Sequence, residues 1–456
     1  QIIGGKNMKK IFQYIMLAVV TIVMASCTSD IEETTATTGK SNVQLVVGEF
    51  PAFGDSQTRA IGTTDEGKTS WAEGDELLLE IDNTSYGRHN ATFTYNGKSW
   101  ELTSGELVYL EGDPAYISHV YYAPNYKWEA GKLVLKEGKD SGTDEYIEGN
   151  ARITGNGETI TVSFAGATRK YSRLRIATLP NEQITVDTEY FTPAGSSDMK
   201  WDQNYTLTSD EKGNAYLYGT FENNSEVTVK YREAALTTYT FSQATESAKS
   251  YALDATVISA NSAEEIKSAI EQKVADGKTT IRLNLAPNAG TNEFMAIREA
   301  IKGAAPNDLG TIELTIIGVE TIPEEAFYKM LQLKSVRMSD VKEIKKYAFK
   351  ECQYLTVVEA PSLNKLYSGA FKKCDQLSKL TFGPINYADA RNWPIFEYIT
   401  QNIDLILSDY QKEMIETDSY LYTANNDRDY AGSDEHNSKN FLGREFRSIT
   451  CRYKVK

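Results

Sequence analysis

The sequence predicts a mainly β chain, with a β-sandwich over residues 42–256 followed by a capped α/β repeat solenoid. Three observations carry that expectation. First, Ala326-Phe327, Ala348-Phe349 and Ala370-Phe371 recur at a fixed spacing of 22 residues. Met330, Cys352 and Cys374 keep the same phase, as do Leu333, Leu355 and Leu377, and Val336, Val358 and Leu380. A period of this length that keeps every apolar position predicts coils that stack and share one core. Second, short segments rich in Val, Thr, Tyr and Ile alternate between turn signals, the pattern of a sandwich. Third, Ser262-Ala263-Glu264-Glu265 forms a capping box that opens an amphipathic helix between the two regions.

Taken in order, residues 1–7 precede a plausible start at Met8 and are given no structural meaning. Met8-Lys9-Lys10 and the apolar run 11–25 then form a basic region and a hydrophobic core of fifteen residues, too short for a comfortable span. The run ends in Met24-Ala25-Ser26-Cys27, which resembles the lipobox of bacterial lipoproteins. That resemblance implies a signal peptide over 8–26, lipid on Cys27 and anchorage in the outer membrane. Residues 27–41 are acidic and Thr-rich, which predicts a flexible tether. Acids directly after such a Cys resemble the surface-export signal of lipoproteins in the Gram-negative group that makes fimbrillins.

Within 42–256 the expected strands include 43–47, 76–81, 91–95, 107–110, 132–135, 159–164, 173–177, 215–221, 227–231 and 238–241. Asn96-Gly97, Asn156-Gly157 and Gly213-Asn214 mark turns between them. Residues 257–317 read as an α/β cap covering the first coil, 318–383 as the repeats, and 384–456 as the closing cap. Phe327, Phe349, Phe371, Cys352 and Cys374 are assigned to the repeat core. The two cysteines share a position with Met330, so they read as buried thiols and not as a disulfide framework.

A formal charge of −15 argues against nucleic acid as a partner. The 28 Tyr against 16 Phe and 5 Trp fit an extracellular β-rich protein. His89, His119 and His436 are scattered, and no nucleophile elbow, metalloprotease helix, phosphate loop or dinucleotide fingerprint occurs. Asp427-Arg428-Asp429 with Gly432 and Asp434 superficially suggests a Ca²⁺ loop. Ala431 and Ser438 stand where the ligands would be needed, so a solvated acidic loop is the better reading. The chain is accordingly expected to be non-enzymatic, without cofactor or metal.

Two resemblances add a role. The unit I-x-x-x-A-F-x-x-C/M-x-x-L-x-x-V/L resembles BspA-like leucine-rich repeats, which implies surface adhesion. Thr58-Arg59-Ala60, then Trp71-Ala72-Glu73-Gly74-Asp75, Tyr121-Tyr122-Ala123-Pro124 and Ser172-Arg173-Leu174-Arg175-Ile176, resemble fimbrillin (Mfa-like) domains in their order. This second resemblance implies a lipoprotein precursor trimmed between Arg59 and Ala60. It also implies fimbrial subunits as partners, although a repeat domain here replaces the second sandwich of a stalk subunit. The expectation is a lipid-anchored surface adhesin or fimbrial accessory contacting a host or bacterial surface protein or glycan. The alternative is a surface glycan-binding lipoprotein serving polysaccharide uptake, with Tyr122, Tyr126 and Trp128 as a sugar-stacking platform.

Overall fold

The computed structural model describes residues 44–51, 53–55, 67–83, 87–106, 115–154, 159–163, 169–388, 395–408, 440–442 and 444–452. The leader, the tether, Cys27, Arg59, Ala60, the expected strand 107–110 and the acidic loop at 427–434 lie outside the described residues. The described chain is mainly β, with multiple sheets. It divides into two compact units. One gathers the described residues of Gln1–Ala52, Lys68–Val134 and Ile147–Ala167; the other gathers those of Phe53–Gly67, Leu135–Tyr146 and Thr168–Lys456.

The first unit carries a seven-stranded sheet. Its order is Gln44–Val47, Thr159–Ser163, Ile147–Thr154, Ala115–Tyr122, Glu76–Asn83, Gly87–Tyr95 and Trp100–Gly105. Pairing is antiparallel except at the outer strand Gln44–Val47, which runs parallel to Thr159–Ser163. The central strand Glu76–Asn83 has Leu77, Leu79 and Ile81 fully buried on one face and Leu78 on the other. Strands buried on both faces read as continuous apolar runs, which is what Leu77-Leu78-Leu79 is. The Asn96-Gly97 signal forms the expected turn: Gly97 has φ 90°, and the Asn96 side chain accepts from the backbone N–H groups of Lys98 and Ser99.

In the second unit, a sheet runs Ala234–Thr240, Glu226–Tyr231, Gln183–Pro193, Asn214–Phe221, Ser172–Ala177, Lys249–Asp254 and Gly54–Asp55. Lys200–Thr208 joins it through Gln183–Pro193. That long strand changes partners along its length. Its first half pairs with Lys200–Thr208 and Glu226–Tyr231, and Phe191–Pro193 pairs with Asn214–Phe221. Tyr190, at φ 50°, sits at the changeover. A strand that switches partners at such a bend makes the corner of a sandwich-like wrap. The enclosed core includes Leu174, Ile176, Phe191, Tyr205, Leu217, Phe221 and Val229.

Ser172–Ala177 is buried on both faces although it contains two arginines. Leu174 and Ile176 enter the apolar core, and alternation turns Arg173 and Arg175 the other way. The polar side is an ionic cluster. Arg169 donates to both carboxylate oxygens of Glu145, at 3.1 and 3.0 Å, and Tyr171 donates to the same carboxylate at 2.5 Å. The Phe53 ring lies 3.8 Å from the Arg169 guanidinium and 4.7 Å from that of Arg173. Burial and the Glu145 charge push the Tyr171 hydroxyl well above its ordinary pKa.

The same unit holds the repeats. An eight-stranded, wholly parallel sheet runs Ile258–Ala260, Thr280–Leu285, Ile312–Ile317, Leu333–Met338, Val357–Ala360, Lys379–Phe382, Asp404–Ser408 and Ser448–Arg452. A short parallel sheet stacks Thr321–Ile322, Glu343–Ile344, Lys365–Leu366 and Tyr387–Ala388. Helix α1 (Ala263–Ala275) and helix α2 (Thr291–Ala304) cross between the first three strands of the long sheet. The expected cap opens as the sequence indicates: Ser262 Oγ accepts from the Glu265 N–H at 3.2 Å, and Glu265 accepts from the Asn261 N–H.

Sequence reading places a boundary at 256–257, but the compact division does not fall there. Arg282, 5% exposed, donates to the Leu236 carbonyl at 2.6 Å, and Ile317 belongs to the sandwich-like core. The last strands of the wrap and the first strands of the array therefore share buried side chains. Only those long-range contacts reveal it, and no local pattern in the sequence encodes them.

Candidate interaction surface

The 22-residue register is visible atom by atom. Ile281, Leu314, Val336, Val358, Leu380, Leu405 and Ile449 are consecutive partners along the long sheet. Phe327, Phe349, Phe371, Cys352 and Cys374 are all 0% exposed. The three Phe rings stack at 5.0 and 5.4 Å between centroids, with interplanar angles of 21° and 10°. Phe396 adds a fourth ring at 5.7 Å and 8°. Phe294 and Phe446 close the two ends edge-on, at 76° and 89°. Sequence reading missed Phe396 because it follows Phe371 by 25 residues, not 22.

The cysteines serve the turns as well as the core. Cys352 Sγ donates to the Phe327 carbonyl and Cys374 Sγ to the Phe349 carbonyl, each at 3.0 Å. Both thiols are free. Burial pushes the Cys352 pKa up to about 12 and that of Cys374 well above its ordinary value, so neither forms a thiolate near neutrality.

Between the Phe spine and solvent, each coil turns through residues in the left-handed region. Glu325, Tyr347 and Gly369 occupy one such position (φ 56°, 58°, 65°), and Lys329, Glu351, Lys373 and Tyr398 another (φ 55°, 63°, 56°, 63°). At Gly369 a Cβ would lie 2.4 Å from the Tyr347 ring, so the missing side chain is what seats that ring. The turns carry the solvent-facing chemistry. Lys350 Nζ stands 5.0 Å from the Tyr328 ring centre and 4.8 Å from that of Tyr347, and Lys346 Nζ is also 4.8 Å from Tyr347. Glu351 pairs with Lys329 at 3.6 Å and Lys373 at 3.7 Å, and Lys372 pairs with Glu397 at 2.6 Å. Residues 319–383 hold eleven Lys and Arg against eight Asp and Glu, a positive stretch in a chain of net −15.

The expected sugar platform is corrected by the structure. Tyr122 is 4% exposed and Tyr126 8% exposed, so neither offers a ring face to a sugar. Tyr122 packs edge-on against Phe50 and Trp71 at 5.2 and 5.3 Å and donates to Asp75 at 3.2 Å. Trp128 is half-buried. The Trp71-Ala72-Glu73-Gly74-Asp75 motif has a structural task here. Gly74, at φ 91°, lets the chain turn, and Asp75 accepts from Lys68 at 2.6 Å as well as from Tyr122. Alternating tyrosines could not tell platform from core in the sequence, because both patterns need aromatics on one strand face.

Comparison with known proteins gives no match among curated proteins. Among solved structures, GBS52, the minor pilin of the Gram-positive pathogen Streptococcus agalactiae, aligns over 47% of this chain and 94% of its own, with 8% identity and a TM-score of 0.17. At that level the likeness carries no argument about this chain. The family model for the BspA type leucine rich repeat region matches residues 311–424 in six copies. That stretch is wider than the three coils at 318–383, and it takes in the strands Ile312–Ile317 and Asp404–Ser408 that the long sheet adds on either side. The C-terminal part of the chain is thus similar to BspA type leucine rich repeats.

Proposed function

We propose that this protein is a non-enzymatic, lipid-anchored adhesion or interaction protein of the cell surface, with the repeat array as its contact module. The single observation that supports this most is the array itself. Its interior is a closed apolar stack, and its turns carry half-buried Lys and Tyr side chains packed on one another, Lys346 and Lys350 on Tyr347 and Lys350 on Tyr328. A surface of repeated polar positions on a rigid scaffold suits binding, and it offers partners several equivalent contacts. The similarity to BspA type repeats supports the same reading.

The anchor is the lipid on Cys27, and the acidic tether after it carries the chain to the outer face of the outer membrane. A role as fimbrial accessory or tip component, with trimming between Arg59 and Ala60, belongs to this reading. Glycan-assisted uptake is the weaker reading, because Tyr122 and Tyr126 are buried. Two measurements test the proposal. Radiolabelled palmitate should enter the native precursor and not Cys27→Ala; equal labelling would sink the anchor. Beads coated with the full chain should adhere to host or bacterial cells, and the soluble chain should compete. Beads that do not adhere would remove the adhesion role.

A further inference from the structure

We propose that the turn face of the array, centred on Lys346, Lys350 and Tyr347, binds a sulfated polysaccharide. The inference rests on reading the array as the contact module and names what it contacts.

The fold leaves part of this face's positive charge unmatched. Lys329 and Lys373 share the carboxylate of Glu351, and Lys372 has Glu397. Among the described residues, Lys346 and Lys350 have no carboxylate partner; both ammonium groups stand 4.8 Å from the same Tyr347 ring. Two like charges on one ring repel, and an anion arriving between them relieves that repulsion. The geometry is prepared in advance. Tyr328 holds Lys350 from the neighbouring coil at 5.0 Å, and Tyr347 is seated against Gly369. Ordering these long side chains has therefore largely been done before a ligand arrives.

Three features select the class of anion. The cations are nearly all lysines, compact point charges that accept a tetrahedral sulfate from any direction. Arg298, whose fork would favour a planar carboxylate, donates instead to the Glu325 carbonyl at 2.9 Å. The backbone N–H groups of the turns are used between coils: Phe327 donates to Ala348, Phe349 to Ala370 and Phe371 to Ile395, at 2.7, 2.8 and 3.0 Å. An acidic peptide therefore finds these three turn N–H groups already bonded. Finally, Lys350 and Lys372 occupy the same repeat position in adjacent coils, a stacking step of about 4.8 Å, whereas Lys329 and Lys373 are two coils apart with Glu351 between them. A sugar chain sulfated at successive rings presents its charges at a comparable step, and the tyrosine hydroxyls can meet its free hydroxyls.

The test uses the full chain and three probes: dextran sulfate, uncharged dextran and poly-glutamate. The native chain should bind dextran sulfate, less tightly as salt rises, and should bind the other two weakly or not at all. Lys346→Gln with Lys350→Gln should lower that affinity about tenfold without changing the melting temperature. Lys334→Gln with Lys379→Gln removes the same charge from the long-sheet strands and should leave binding within about twofold. No binding of dextran sulfate, equal binding of poly-glutamate, or equal loss in the two double variants would each overturn the inference. Bead adhesion separates the two levels. Adhesion that ignores both dextran sulfate and the Lys346/Lys350 variant leaves the contact-module reading standing and removes this ligand. Absent adhesion with dextran sulfate still bound does the reverse.

Discussion

The seven-stranded sheet and the repeat array are both β structures, but their sequences specify them by different means. In the sheet each strand finds its partner through alternation and a turn, so every register is set separately: Phe93 opposes Leu77 on one side and Leu102 on the other. In the array one rule is applied again and again, and Val336, Val358 and Leu380 align because the coils have equal length. A core built from separate registers confines damage to its own neighbourhood, whereas a core built by stacking passes damage to the next coil.

Phe93 and Phe349 are 1% and 0% exposed, so truncating either to Ala should cost about 3–5 kcal/mol. The two losses should spread differently. Denaturant unfolding followed by tryptophan fluorescence should detect Phe93→Ala through Trp71 and Trp100 of the first unit, and Phe349→Ala much less. Of similar size is the buried pair of the wrap. Arg169→Met leaves the Glu145 carboxylate buried without its partner, which should cost about 3–5 kcal/mol. Adding Glu145→Leu should restore much of that loss, and a double variant no more stable than Arg169→Met would show that the charge pairing is not what matters there.

Gly369→Ala should cost about 1–3 kcal/mol, because φ 65° disfavours a side chain and the Tyr347 ring blocks the space. A neutral result in thermal melts would mean that the turn has room the structure does not show. Next come the thiols. Cys352→Ala removes the donor to the Phe327 carbonyl and some packing, about 1–3 kcal/mol in all. Because burial holds the Cys352 pKa near 12, iodoacetamide at pH 8 should label Cys352 and Cys374 only after unfolding, as read by peptide mass mapping. Labelling of the native chain at the same rate would contradict the closed stack.

The smallest effect is set by pH. Arg447 and Ser448 hydrogen-bond Asp404 and lower its pKa to about 2. A carboxylate whose pKa is depressed in the fold adds stability above its unfolded value, about 3.9, and loses it as pH falls through about 2. Asp404→Asn should therefore be slightly less stable than the native chain at pH 6, and the gap should close between pH 4 and pH 2. A gap that persists below pH 2 would point to lost hydrogen bonding instead of lost charge.

How much of this was legible in advance follows from the same contrast. The five assigned core residues of the array could be read because a repeat supplies its own control: an apolar position kept three times is a buried one. Phe396 escaped because the step to it is 25 residues, and a period search sees only equal steps. The Lys346–Tyr347–Lys350 cluster was also invisible, since the left-handed backbone at Tyr347 sets both ammonium groups on one ring and Tyr328 joins them from the neighbouring coil. In the sheets, strands and turns were readable from alternation and Asn-Gly pairs. Which tyrosines would be covered was not, because Tyr122 is buried by Phe50 and Trp71, which are distant in sequence. Likewise Arg169 and Arg173 gave no sign that they would be buried, since Glu145 reaches Arg169 and Phe53 reaches both from far along the chain.

Native-state hydrogen exchange on Phe349→Ala tests the stacked core most directly. The amides of Phe327 and Phe371, bonded across coils to Ala348 and Ile395, and those of Val336, Val358 and Leu380 should lose protection together. Leu77, Leu79 and Phe93 in the seven-stranded sheet should keep theirs. Protection lost only next to residue 349, or lost equally in the seven-stranded sheet, would contradict a single core built by stacking.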